Sequence, residues 1–209
     1  VKTWVECDVK ELDNLDNDLS GREFAEKFKL AVKIAEIDPY RATTHNKGVF
    51  NGIDAVAIAT GNDFRAIEAA GHTYASKDGK YTSLSHVEME GDRFKFYVEI
   101  PLAMGTVGGL TSLHPLAKHS LEMLENPSAE ELMMISSAVG LANNFAAIRS
   151  LVTKGIQIGH MKMHLMNILN NFGANKEEKK KAEEHFVDNK VSFSSVEKFL
   201  NNLRSGESK

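Results

Sequence analysis

Helix-start signals govern the second half of this chain, and strand signals are confined to its first hundred residues. From Pro115 onward every segment reads as helix. Proline suits a first helical turn, because its missing N–H would be unpaired there anyway. Ser128 with Glu131, Asn175 with Glu178 and Ser194 with Glu197 are spaced as capping boxes, in which each cap and third-residue side chain satisfies a free backbone N–H. The helix opened by Ser128 is expected to run to about Thr153 with Gly155 as its stop, and another to span 159–172. Earlier, Ser20 and Glu23 box the start of a helix that sets Phe24, Phe28, Ala31, Val32 and Ala35 on one face and ends at Asp38-Pro39. Thr60 to Asp63 opens another, through about Ser76. Val1 to Val9 reads as a strand. Lys80 to Met89 and Arg93 to Pro101 read as a hairpin around Glu90-Gly91-Asp92, its second strand placing Phe94, Phe96, Val98 and Ile100 on one face. Strands and helices that do not alternate regularly imply an α+β fold, mostly helical, with a small mixed or antiparallel sheet.

Composition excludes several function classes. A chain of 209 residues with 42% hydrophobic content can bury a sizeable core. Its net charge of -4 offers no electrostatic reason to expect nucleic acid or an anionic membrane as partner. The single cysteine, Cys7, excludes an internal disulfide framework and fits a reducing, cytoplasmic compartment. No apolar run suggests a membrane span, so no membrane partner is expected. Val at position 1 suggests a trimmed chain or an excerpt from a longer one.

Three residues could carry chemistry. Tyr40 to Asn51 is polar and without clear periodicity, which predicts a loop. Lys47 within it is either a surface lysine or a fixed cation for a carbonyl oxygen gaining negative charge. Asp63 is either a helix N-terminal acid favoured by the macrodipole, or in addition the partner that holds Lys47 charged. His160 and His164 share a helix at i, i+4. Without the glutamate of a zinc-binding HExxH pattern and without a third ligand they do not predict a metal site, whereas a histidine near its ordinary pKa can serve as a general acid. Gly105-Thr106-Val107-Gly108-Gly109 lacks the spacing of a dinucleotide fingerprint and reads as a tight loop. Leu132, Met133, Met134, Ile135, Val139 and Leu141, and then Met161, Met163, Leu165, Met166, Ile168 and Leu169, make two helices apolar on more than one face, which points to burial at an interface.

Several strings together resemble the bacterial-type (class II) 3-hydroxy-3-methylglutaryl-coenzyme A reductases. They are Asp38-Pro39-Tyr40-Arg41-Ala42-Thr43-Thr44-His45-Asn46-Lys47-Gly48, Asn51-Gly52, Ala59-Thr60-Gly61-Asn62-Asp63, Pro101 through Gly109, Val139-Gly140-Leu141-Ala142, and Gly155-Ile156-Gln157 with Gly159-His160-Met161. The resemblance implies reduction of 3-hydroxy-3-methylglutaryl-CoA to mevalonate and CoA by two hydride transfers from NADH or NADPH. By resemblance Lys47 stabilises the carbonyl oxygen, Asp63 is linked to that lysine, and His160 protonates the departing CoA thiolate. Arg41, Thr44 and Asn51 match positions that contact the hydroxymethylglutaryl part. Where the family usually reads Ala-Gln-Asn, this chain has Ala142-Asn143-Asn144. Nothing here matches the family's catalytic glutamate, which lies upstream together with the nicotinamide-binding domain. Residues 1–12 are accordingly expected to be the last strand of that small domain, and 13–209 the C-terminal part of the large substrate domain. The implied partner is a second copy, in a homodimer or higher oligomer, and this chain alone is expected to be inactive. The alternative is a non-catalytic substrate-binding or assembly module.

Overall fold

A computed structural model describes residues 1–13, 15, 19–153, 156–187 and 189–205; the side chains of residue 112 and of residues 156–162 lie outside the description. Two compact units make up the chain, Val1–Thr153 and Lys154–Lys209.

The first unit is built on a three-stranded antiparallel sheet of β1 (Lys2–Asp8), β2 (Ser85–Glu90) and β3 (Arg93–Glu99), in the order β1-β3-β2. The predicted hairpin is present, with Gly91 at φ +58° in its turn. β1, expected to close a preceding domain, pairs with β3 along its whole length, Val5 opposite Phe96 and Cys7 opposite Phe94, and so shares a sheet and a core with the hairpin.

Alternation buries Phe94, Phe96 and Val98 on one sheet face. Against that face packs α1 (Gly21–Ile37), capped by Ser20 and Glu23 as expected. Its Phe28 ring meets Phe96 edge-on at 5.0 Å and Phe145 at 5.0 Å. Phe145 comes from α6 (Ala129–Val152), so one aromatic cluster ties sheet, α1 and α6 together. Each such phenylalanine contributes about 1.5–3 kcal/mol by burial.

Residues 40–51 are helical, which corrects the predicted loop. α2 (Pro39–Ala59) begins where α1 ends: Asp38 caps it by accepting from Tyr40 N, and Pro39 fills its first turn. The physical reason is tertiary. α2 crosses α6 at backbone contact, and low-propensity glycines on both helices permit the approach: a Cβ on Gly52 of α2 would lie 2.6 Å from Val139 O, and one on Gly140 of α6 2.8 Å from Ile53 Cγ1. α6 itself is long and apolar enough to cross a membrane by length and composition, contrary to the expectation that no such segment exists. In this structure it packs on α1, α2 and β1. α3 (Phe64–Ala75), α4 (Gly109–Leu113) and α5 (Pro115–Met123) complete the unit.

The second unit holds α7 (Ile156–Asn171), α8 (Lys176–His185) and α9 (Phe193–Arg204). Its separate core contains Leu165, Ile168, Leu169, Ala182, Phe186, Val196 and Leu200. The Asn175–Glu178 box is present; the last helix is capped two residues earlier than expected, by Ser192 with Ser195. Arg204 pairs with Glu178 at 2.7 Å and, with the cap, holds that carboxyl down at about 2.

Candidate active site

At 100° per residue, Arg41, Thr44, Lys47 and Asn51 fall within an arc of about 120° on α2. Arg41 is half-buried and the other three are exposed. Among the described residues none of these four side chains has a hydrogen-bond or ion-pair partner. The opposite face carries the packing: Ala42, Val49, Phe50, Ile53 and Ala57 are buried in the core. All four positions predicted on α2 are therefore brought together, as one unpartnered stripe of a guanidinium, a hydroxyl, an ammonium and an amide. Such donors can receive a carboxylate or a developing oxyanion. Arg41 lines a groove of about 310 Å³ with Lys27, Leu30, Ala31, Ile34, Leu151 and Val152, and burial lowers its pKa.

Asp63 stands just beyond the end of α2. Its carboxylate accepts from Arg65 N and Ala66 N, both at 3.1 Å, and caps α3. Its helix-start role is thus present, while no ion pair joins it to Lys47 among the described residues. His160 is on α7, but its side chain lies outside the described residues. His164 is exposed.

Beneath the stripe lies a buried polar ring that sequence reasoning missed. Ser85 Oγ donates to Asn144 Oδ1 at 2.7 Å and is 2.6 Å from His45 Nε2. Since the serine hydrogen is committed to Asn144, His45 Nε2 must carry the donor hydrogen. Asn144 Nδ2 closes the ring onto His45 O at 2.9 Å. Burial, with Arg41 nearby, drives the His45 pKa down to about 3, so the imidazole is neutral, and its Nδ1 has no partner. Beside it Asn46 Nδ2 donates to Thr82 O and its Oδ1 accepts from Leu84 N, which fastens α2 to the approach of β2. The signal available in the sequence was a run of polar residues flanking Lys47, indistinguishable there from a loop. Asn143, where the family usually has glutamine, is half-buried and has no side-chain hydrogen bond among the described residues.

Asp54 continues the stripe, two turns after Lys47. Burial first, and then the neighbouring Glu68 carboxylate, raise its pKa to about 6.

The glycine-rich loop does not form the βα turn of a doubly wound dinucleotide fold, in which glycine N–H groups stand at a helix N-terminus: the described sheet is antiparallel, and the loop leads into the five-residue α4.

A model of the family hydroxymethylglutaryl-coenzyme A reductase matches residues 1–165. The chain is 46% identical over 189 residues to the 3-hydroxy-3-methylglutaryl-coenzyme A reductase of Archaeoglobus fulgidus, covering 90% of this chain and 43% of that protein. A probable reductase of the same name from Borreliella burgdorferi is 43% identical over 155 residues, 72% of this chain and 36% of that protein. Among solved structures, the class II enzyme of Streptococcus pneumoniae bound to NADPH in open conformations superposes with a TM-score of 0.69 at 42% identity, covering 97% of this chain and 49% of that one. The chain thus spans less than half the length of the curated relatives it matches.

Proposed function

The chain belongs to the hydroxymethylglutaryl-coenzyme A reductase family, and on that footing we propose that it supplies part of the substrate site of a reductase that interconverts 3-hydroxy-3-methylglutaryl-CoA with mevalonate and CoA. One observation carries the reading: the four polar side chains of the α2 stripe, without partners among the described residues, stand on a helix whose opposite face is packed in the core.

In this reading Lys47 binds the thioester carbonyl oxygen and stabilises it as it becomes an alkoxide. A fixed ammonium is worth most where the charge develops during reaction. Arg41 pairs with the carboxylate of the acyl group, since a half-buried guanidinium with no ion-pair partner among the described residues favours an anionic ligand. Thr44 and Asn51 hydrogen-bond its hydroxyl or carboxylate oxygens. Asp63, which caps α3 just beyond the stripe, is the residue linked to Lys47 in this reading. His160 delivers a proton to the departing thiolate. The hydride comes from NADH or NADPH, held mostly by residues outside this chain; the catalytic glutamate also lies outside it. The isolated chain is therefore inactive, and the working protein is a cytoplasmic homodimer or higher oligomer. The single cysteine and the exposed Met134, Val139 and Met163 support those two statements.

The test is a cofactor-oxidation assay on the complete polypeptide, run with the thioester and with mevaldehyde, the free aldehyde. Both should be reduced, and His160→Gln should slow only the thioester, since only that stage expels a thiolate. Substrate binding without turnover by the complete protein would instead mark a non-catalytic module.

A further inference from the structure

The turn that carries Asp63 is tied to the glycine-rich loop by a single side chain. Asn62 Oδ1 accepts from Gly105 N at 2.7 Å, and Asn62 Nδ2 donates to Gly105 O at 3.1 Å. One amide group thus reads both main-chain groups of one residue, as a neighbouring strand would. The orientation of that amide is determined by a third contact. Nδ2 also donates to Thr60 Oγ1 at 2.9 Å, while the Thr60 hydroxyl donates to Val56 O at 2.8 Å. Thr60 Oγ1 is therefore an acceptor toward Asn62, and the reversed amide would set oxygen against oxygen at both Thr60 and Gly105.

The backbone reinforces the clamp. Asn62 N donates to Ala57 O at 2.8 Å, holding the turn against the last turn of α2. Gly61, at φ +72°, lies so close to the segment after the loop that a Cβ would be 3.3 Å from Thr111 N and 3.3 Å from Ala117 Cβ. The reaction steps proposed for the stripe make no use of the 105–109 loop.

We propose that Asn62 is a positioning residue: by clamping Gly105 it makes the Asp63 turn and the 105–109 loop one rigid element, and so holds Asp63 in register with the Lys47 stripe. This rests on the proposed reductase reading for its effect on turnover, but not for the clamp itself.

The experiment uses the complete polypeptide with Asn62→Asp, which keeps the size of the side chain and removes the donor, and Asn62→Ala, which removes both contacts. Hydrogen exchange is measured first, independently of activity. Both variants should speed exchange at 60–63 and at 105–109 together, by about tenfold, with 45–57 of α2 unchanged. Reductase turnover is measured second. Both variants should lower kcat by about tenfold to a hundredfold with KM within about twofold, since the loss is one of alignment rather than binding. Combined with Asp63→Asn, the Asn62→Asp loss should largely disappear, because the two residues act through one group. Unchanged exchange in Asn62→Asp, or faster exchange at only one of the two segments, overturns the clamp. Changed exchange with undiminished kcat, or with losses that simply multiply in the double variant, overturns the positioning role. A wild-type protein without reductase activity defeats the functional reading and with it any role in turnover, while the exchange result still decides the clamp.

Discussion

Asn144 donates its side-chain amide to the main-chain carbonyl of His45, two residues before Lys47, across the crossing of α6 and α2. The same side chain accepts from Ser85, which is bonded to the His45 ring, so helix, helix and sheet meet at one buried ring of polar atoms. All three residues are at most 2% exposed. In a buried ring of this kind, removing one member strands its partners away from water, where a lost hydrogen bond is not replaced.

Removing Asn144 should therefore be costly. Asn144→Ala leaves the Ser85 hydroxyl hydrogen without its acceptor and one lone pair of His45 O empty. Each such buried group costs about 1–3 kcal/mol, and a total loss of about 2–3 kcal/mol is expected in urea denaturation. A loss below about 1 kcal/mol would show that the ring contributes little.

His45 gives the fold an acid-sensitive point. Its folded pKa of about 3 lies below the ordinary value of 6.5, because burial disfavours the imidazolium. The unfolded chain therefore binds the extra proton between those values. The stability from neutral His45 is present above pH 6.5 and is lost as pH falls toward 3. For one proton the slope approaches about 1.4 kcal/mol per pH unit. His45→Gln, whose amide can reach the Nε2 position, should flatten the wild-type slope between pH 6 and 4.5. Parallel slopes in denaturation at several pH values would refute the buried neutral state.

Asp54 has the opposite sign. Its folded pKa of about 6 lies above the ordinary 3.8, so the fold favours the protonated carboxyl. That contribution is complete below pH 3.8 and is lost as pH rises through 6. Asp54→Asn keeps the neutral form at every pH. It should stabilise the protein at pH 7 by on the order of 1 kcal/mol after allowance for solvent screening, and not at all at pH 3.5. Equal effects at both pH values would mean that Asp54 titrates normally.

Much of the architecture was legible because local signals and tertiary packing agree. The box at Ser128 does start α6, and the alternation at Phe94, Phe96 and Val98 does face the core. They disagree in α2. Gly48, Gly52, His45 and Asn46 read as loop chemistry, yet the glycines are needed for helix contact and the polar residues point into a buried network. Periodicity based on apolar residues cannot see a helix whose buried face is partly polar. The same blindness hides the layout of the stripe: in the sequence Arg41, Thr44, Lys47 and Asn51 are separate, and only the helix sets them on one face. Asn62 stood inside a string that carried the family resemblance and Asn144 just beyond one, but their partners, Gly105 and His45, are 43 and 99 residues away. Contacts at that separation leave no periodic trace in one sequence.

The most direct test of the central claim, that the α2 stripe is the catalytic face of a reductase, is steady-state turnover of Lys47→Ala in the complete polypeptide. The account predicts a fall in kcat on the order of 10²–10³, with a smaller change in KM, because the contact is strongest once the oxygen carries charge. An unchanged kcat would contradict it.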